Sequence, residues 1–165
     1  MDDDILRKAL VKLLRGGGAH ATFDDTVTGF APKLLGLKPA GSPHTPWQLM
    51  EHLRIAQRDI LEFTRDAKHV SPPFPSGYWP ETSAPPDPRA WDSSITAFKD
   101  DLREMQQLVH DTSQDLSRPL LHANGETLLS QTLLLATHNS YHIGQLIGVR
   151  RALEKWVEFM PYEKR

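Results

Sequence analysis

The sequence predicts an all-α fold: a four-helix bundle with one long proline-rich connection and a short extra helix after the first long one. Three observations lead there. Four stretches place apolar residues three and four apart, the spacing of one buried helical face. No stretch shows the strict apolar–polar alternation of a half-buried strand. The prolines crowd into residues 71–88, leaving long helical stretches on either side.

The first long helix is expected from about Asp4 to Arg15, with Ile5, Leu6, Ala9, Leu10, Leu13 and Leu14 at helical spacing. Gly16, Gly17 and Gly18 end it. This triple glycine is not a phosphate loop: it follows a helix rather than a strand and lacks the Lys-Ser/Thr pair that reaches a phosphate and its magnesium. A shorter helix is expected from Thr22 to Phe30, before Pro32. The second long helix has a defined start, with Thr45 as N-cap, Pro46 as first helical residue and Gln48 as third, a capping box. It runs to about Asp66.

Residues 71–88 carry seven prolines, which neither a helix nor a central strand tolerates. Tyr78 and Trp79 lie within this stretch, and large aromatics dock on something. The segment is either a lid over a site or a crossover lying along the bundle. The third long helix starts near Asp87-Pro88 and runs to about Asp111. Its stripe is Trp91, Ile95, Phe98, Leu102, Met105 and Val109. The fourth starts near Thr127, after Gly125, and is expected to reach about Trp156.

At 165 residues the chain is expected to form a single domain, residues 1–165, large enough to need no staples. It has no cysteine, which excludes disulfides and thiolate metal sites. Any metal must be held by His, Asp or Glu, and any thiol chemistry needs an external thiol. Net charge is -2, with 19 basic and 21 acidic residues, so no basic field exists to hold nucleic acid. The N-terminal MDDDILRKAL is acidic where a signal peptide would be basic, and no apolar run approaches the roughly 18 residues of a membrane span. A cytoplasmic protein without membrane partners is expected.

Three histidines occupy helical positions that should face the core. His138 and His142 lie on the stripe Leu128, Leu135, His138, His142, Gln145, Val149, Ala152, Trp156. His52 lies on the stripe Leu49, His52, Ala56, Ile60, Phe63. A neutral imidazole in an apolar core needs a partner for each ring nitrogen. Each could be a satisfied core histidine, bonded to residues such as Gln145, Asp59 or Tyr141. Three together on facing helices point instead to one shared partner, a divalent metal. His138 and His142 are four apart, so their Cβ atoms sit about 6 Å apart on one helix face. His52 supplies the third ligand from another helix. Three protein ligands leave a position for water or substrate, the pattern of a catalytic site. The spacing is not that of a zincin, because Asn139 stands where the general-base glutamate would follow the first histidine.

His20 follows the triple glycine and is a candidate catalytic residue, able to reach the open coordination position or a substrate. His20 and the Tyr78-Trp79 loop are expected to border the mouth of the site. His44, His69, His110 and His122 read as surface residues, and Glu51 and Arg54 as solvated charges on other faces.

The blocks WQLMEHLRIAQRDIL, SGYWP and THNSYHIGQLIGVRR together resemble the DinB-like superfamily of metal-binding four-helix bundles, which includes thiol-dependent S-transferases. The resemblance covers nearly the whole chain, with the blocks in the family's order. It implies a bundle of unusual helix order, a divalent nickel or zinc ion on three histidines, and often a homodimer. By position the ligands are His52, His138 and His142. Some members that transfer thiols or isomerise replace one histidine by Glu. This chain keeps all three.

The expected function is divalent-metal binding, as a metal-dependent enzyme acting on a small molecule. Transfer of an exogenous low-molecular-weight thiol and metal-dependent hydrolysis are the two reactions that fit. The alternative is a metal-binding or stress-related binding protein without turnover.

Overall fold

The structure, a computed structural model, describes residues 3–154. Within them lie five α-helices and no strand: α1 (Asp3–Arg15), α2 (Phe23–Val27), α3 (Pro46–Arg65), α4 (Ala90–His110) and α5 (Leu128–Leu153). α1, α3, α4 and α5 are the four long helices, and α2 is the short extra one. α3 packs against both α4 and α5, and α1 closes the bundle against the same two.

Each start has a local cause. Thr45 caps α3 as its sequence predicts: its hydroxyl accepts from Gln48 N–H, and the Gln48 side chain accepts from Thr45 N–H. Thr22 and Thr127 cap α2 and α5 the same way, through Asp25 and Ser130. α2 is shorter than the expected Thr22–Phe30. The chain leaves it at Thr28 in extended conformation, and Gly29 then adopts φ +69°, which favours glycine.

Two apolar clusters fill the bundle. One gathers Phe98, Leu49, Met50, Leu53 and Leu146 with Phe23, whose ring stacks on Phe98 at 4.1 Å. The other gathers Leu61, Met105, Val109 and Leu135. Between α3, α4 and α5 runs a buried polar thread. Asn139 Nδ2–H donates to Gln57 Oε1 at 2.9 Å, and Gln57 Nε2–H donates to the Phe98 carbonyl. Two buried arginines serve backbone ends. Arg7 donates to the carbonyls of Val109, Asp111 and Gln114 at and just after the C-terminal end of α4. Arg150 donates to those of Thr26 and Thr28 at the C-terminal end of α2.

The core face of α5 is rotated from the expected stripe. It runs through Leu128, Thr132, Leu135, Asn139, Ile143, Leu146 and Arg150, while Ala152 is exposed and His138 and Gln145 are half-buried. The shift arises because Asn139 and Arg150 are buried polar residues with partners, which apolar spacing cannot reveal. The expected end at Trp156 lies outside the described residues.

The proline-rich connection lies against the bundle as a crossover. Thr45 Oγ1–H donates to the Ser83 carbonyl at 2.7 Å, and Trp47 Nε1–H to Thr82 Oγ1 at 3.1 Å. Gly36 is required at the contact: a Cβ there would sit 2.6 Å from the Ala84 Cβ.

Candidate metal centre

His52 sits in the second turn of α3, and His138 and His142 on the edge of the buried face of α5. His52 and His142 are buried, and His138 is half-buried. The three Nε2 atoms turn toward one another. His52 Nε2 lies 3.1 Å from His142 Nε2 and 3.2 Å from His138 Nε2. Among the described residues these three form a group able to hold a metal ion, with one ligand atom from each and all three within 4.8 Å of one another.

The outer nitrogens decide what the inner ones can be. His52 Nδ1 lies 2.8 Å from the Tyr78 carbonyl, which only accepts, so Nδ1 carries the proton and Nε2 presents a lone pair. His142 Nδ1–H donates to Gln145 Oε1 at 2.9 Å, leaving its Nε2 a lone pair as well. Two lone pairs 3.1 Å apart cannot hydrogen-bond each other; a cation between them removes the repulsion. Two nitrogens bonded to one zinc at about 2.05 Å and tetrahedral angle sit roughly 3.3 Å apart, close to the observed spacing. The donor set therefore fits a divalent ion. Histidine ligands held by an acceptor on the far nitrogen are the usual arrangement around such ions.

Electrostatics agrees. Burial pushes the His138 and His142 rings down to about 4, helped by their neighbouring imidazoles, and burial lowers His52 too. All three are neutral at pH 7, the form that binds metal. His138 Nδ1 and Asn139 Oδ1 are buried without a hydrogen bond of normal geometry, although the Asn139 side chain favours the protonated His138 ring.

Around the three histidines stands a support that sequence reasoning only partly foresaw. Trp79 lies flat on His52, with ring centroids 4.0 Å apart and planes 6° apart. His44 stacks on the other face of Trp79 at 3.8 Å. His44 is thus half-buried rather than the expected surface residue. Tyr78 O–H donates to Asp59 Oδ2 at 2.6 Å, and His69 Nε2–H donates to Asp59 Oδ1 at 2.7 Å. Asp59 and His69 therefore clamp the Tyr78 side chain, which aims its carbonyl at His52. Tyr141 meets His142 edge-on at 4.8 Å and is otherwise exposed. The aromatic pair was legible; the clamp was not, because Asp59 and His69 look like ordinary charged and loop residues.

Further expectations are corrected: His69, like His44, is half-buried and not on the surface, and two other residues differ. His20 does not join the three histidines. Its Nε2 pairs with Ser140 Oγ at 3.1 Å, and it lines a separate cavity with Leu13 of α1. Ser140 is two residues from each α5 ligand, about 200° around a helix, so His20 lies on the opposite side of α5. Glu51 is not solvated. It is buried, bonds Arg54 at 2.8 and 2.9 Å, and accepts from the Ser94 hydroxyl. Burial raises its carboxyl, but the bonds from Arg54 and Ser94 outweigh that and hold it below the ordinary value. His110 and His122 are exposed as expected.

An all-helical bundle whose facing helices turn three neutral imidazoles onto one point is a scaffold that could hold a metal ion. The chain belongs to the DinB superfamily, whose family model matches residues 18–146 and so includes all three histidines and Trp79. Neither a curated protein nor a solved structure matches it.

Proposed function

We propose that His52, His138 and His142 hold one divalent ion, nickel or zinc, and that the chain is a metal-dependent enzyme acting on a small molecule. The carrying observation is the pair of tethered imidazoles, His52 and His142, with Nε2 lone pairs 3.1 Å apart. When bound, the ion supplies a double positive charge that favours thiolate over thiol, or hydroxide over water, at neutral pH. The protein's residues position that chemistry. The Tyr78 carbonyl and Gln145 fix two rings, and Trp79 covers one face of His52. Neutral ligands leave the ion's charge undiminished.

With no cysteine in the chain, a thiolate must come from an external low-molecular-weight thiol. Transfer of such a thiol to an electrophile is the reaction we favour, and ester or amide hydrolysis is its neighbour. A cytoplasmic setting, where small thiols stay reduced, suits the first. No helix among the described residues is long and apolar enough to cross a membrane. Pairing into a homodimer is supported by the outer face of α5, where Leu133, Leu134 and Tyr141 are exposed.

The test is turnover by nickel- or zinc-loaded protein. Thiol transfer to an electrophile panel is expected, lost with excess chelator and restored by metal. Metal-replete protein inert toward both thiol transfer and hydrolysis contradicts catalysis and makes the chain a binding protein.

A further inference from the structure

A cavity of about 300 Å³ lies between the segment 39–44 and the last turns of α5. Leu49, Val149 and Ala152 give it an apolar wall, and Gly148 leaves room beside them. Its polar side includes His44 and Gln145, and both touch the support of the metal centre. Gln145 holds His142 Nδ1, and His44 stacks on the tryptophan that covers His52. Neither ring nitrogen of His44 has a hydrogen-bond partner among the described residues. None of the described residues lining the cavity is acidic, and Lys38 is close enough to His44 to influence its charge.

We propose that this cavity binds a small organic acid, its apolar body against Leu49, Val149 and Ala152 and its carboxylate against His44, next to the outer support of the three histidines. The proposal goes beyond the metal reading and does not rest on the three histidines holding an ion. At about 30 Å³ per water-sized group, the space takes on the order of ten non-hydrogen atoms. The His44 N–H donates to the carboxylate, and Lys38 supplies the nearby positive charge. An occupant so placed lies beside Gln145 and the His44–Trp79–His52 stack, within reach of the groups that orient two of the ligands.

Benzoate and its neutral counterpart benzamide match this size and serve as probes of the full chain, by calorimetric titration. Two variants separate the cavity from its surroundings. A Cβ on Gly148 meets nothing within 4 Å, so Gly148→Leu fills the space without disturbing the helix. His44→Phe keeps a ring on Trp79 but removes the donor. Benzoate is expected to bind the zinc-loaded chain at least tenfold more tightly than benzamide. Both variants should lose tenfold or more of that affinity with zinc content unchanged. Equal benzoate affinity in Gly148→Leu, or none in the loaded parent chain, overturns the proposal; an anion simply bound to the ion would give the first result. Benzamide binding as tightly as benzoate also overturns it. The same Gly148→Leu contrast in metal-free chain keeps the two questions apart. A chain that takes up no zinc yet binds benzoate in a Gly148-dependent way refutes the metal centre and leaves the cavity standing.

Discussion

His52 owes its orientation to a residue 26 positions away. The Tyr78 carbonyl accepts a hydrogen bond from its Nδ1–H, and Asp59 holds Tyr78 by its hydroxyl. Tyr78→Phe should therefore weaken metal binding about 10–100-fold, the usual cost of losing such outer support. A chelator competition reads this directly; unchanged affinity would show that the Asp59 clamp is not what aims the carbonyl. His138→Ala should abolish metal binding, while His122→Ala should not, since His122 lies exposed and bonds only the Phe63 carbonyl. Equal metal content in the two variants would place the ligands elsewhere. The same histidines set a pH dependence in metal-free protein. His138 and His142 titrate near 4 when folded and near 6.5 when unfolded. Between those values the unfolded chain binds more protons, so folding stability is complete above about pH 6.5 and falls as pH drops toward 4. Urea midpoints taken across that window should decline; a flat or rising series contradicts the neutral cluster.

Helix starts, helix spacing and the two blocks that bring the three histidines together were readable because each has a local signature. Capping boxes sit three residues apart, and buried stripes repeat every three or four. The face of α5 was misjudged because its centre is held by Asn139 and Arg150, whose partners Gln57, Thr26 and Thr28 lie far away in sequence. The role of Arg7 was invisible for the same reason. Loss of its three bonds to carbonyls at the end of α4 should destabilise the bundle, and Arg7→Ala is expected to cost about 2–3 kcal/mol. Chemical denaturation checks this; a loss within about 0.5 kcal/mol, the scatter of ordinary surface changes, would mean that α1 is held by apolar packing alone.

In the whole molecule, the crossover links the bundle to the centre. It is tied to the start of α3 at Thr45 and Trp47 and again further along the helix at Asp59, so Trp79 is held over His52 from two places on one helix. Composition says only that any thiol chemistry needs an external thiol, and it could not foretell where His20 would go. The triple glycine lets the chain turn in more than one direction, and Ser140, not the three histidines, captures that ring. The central claim is that three imidazoles share one ion. X-ray absorption at the zinc edge of loaded protein tests it most directly. The expected spectrum shows three imidazole nitrogens at about 2.0–2.1 Å, falling to two in His52→Ala. A shell with fewer than three imidazoles in the parent chain, or one unchanged by His52→Ala, would contradict it.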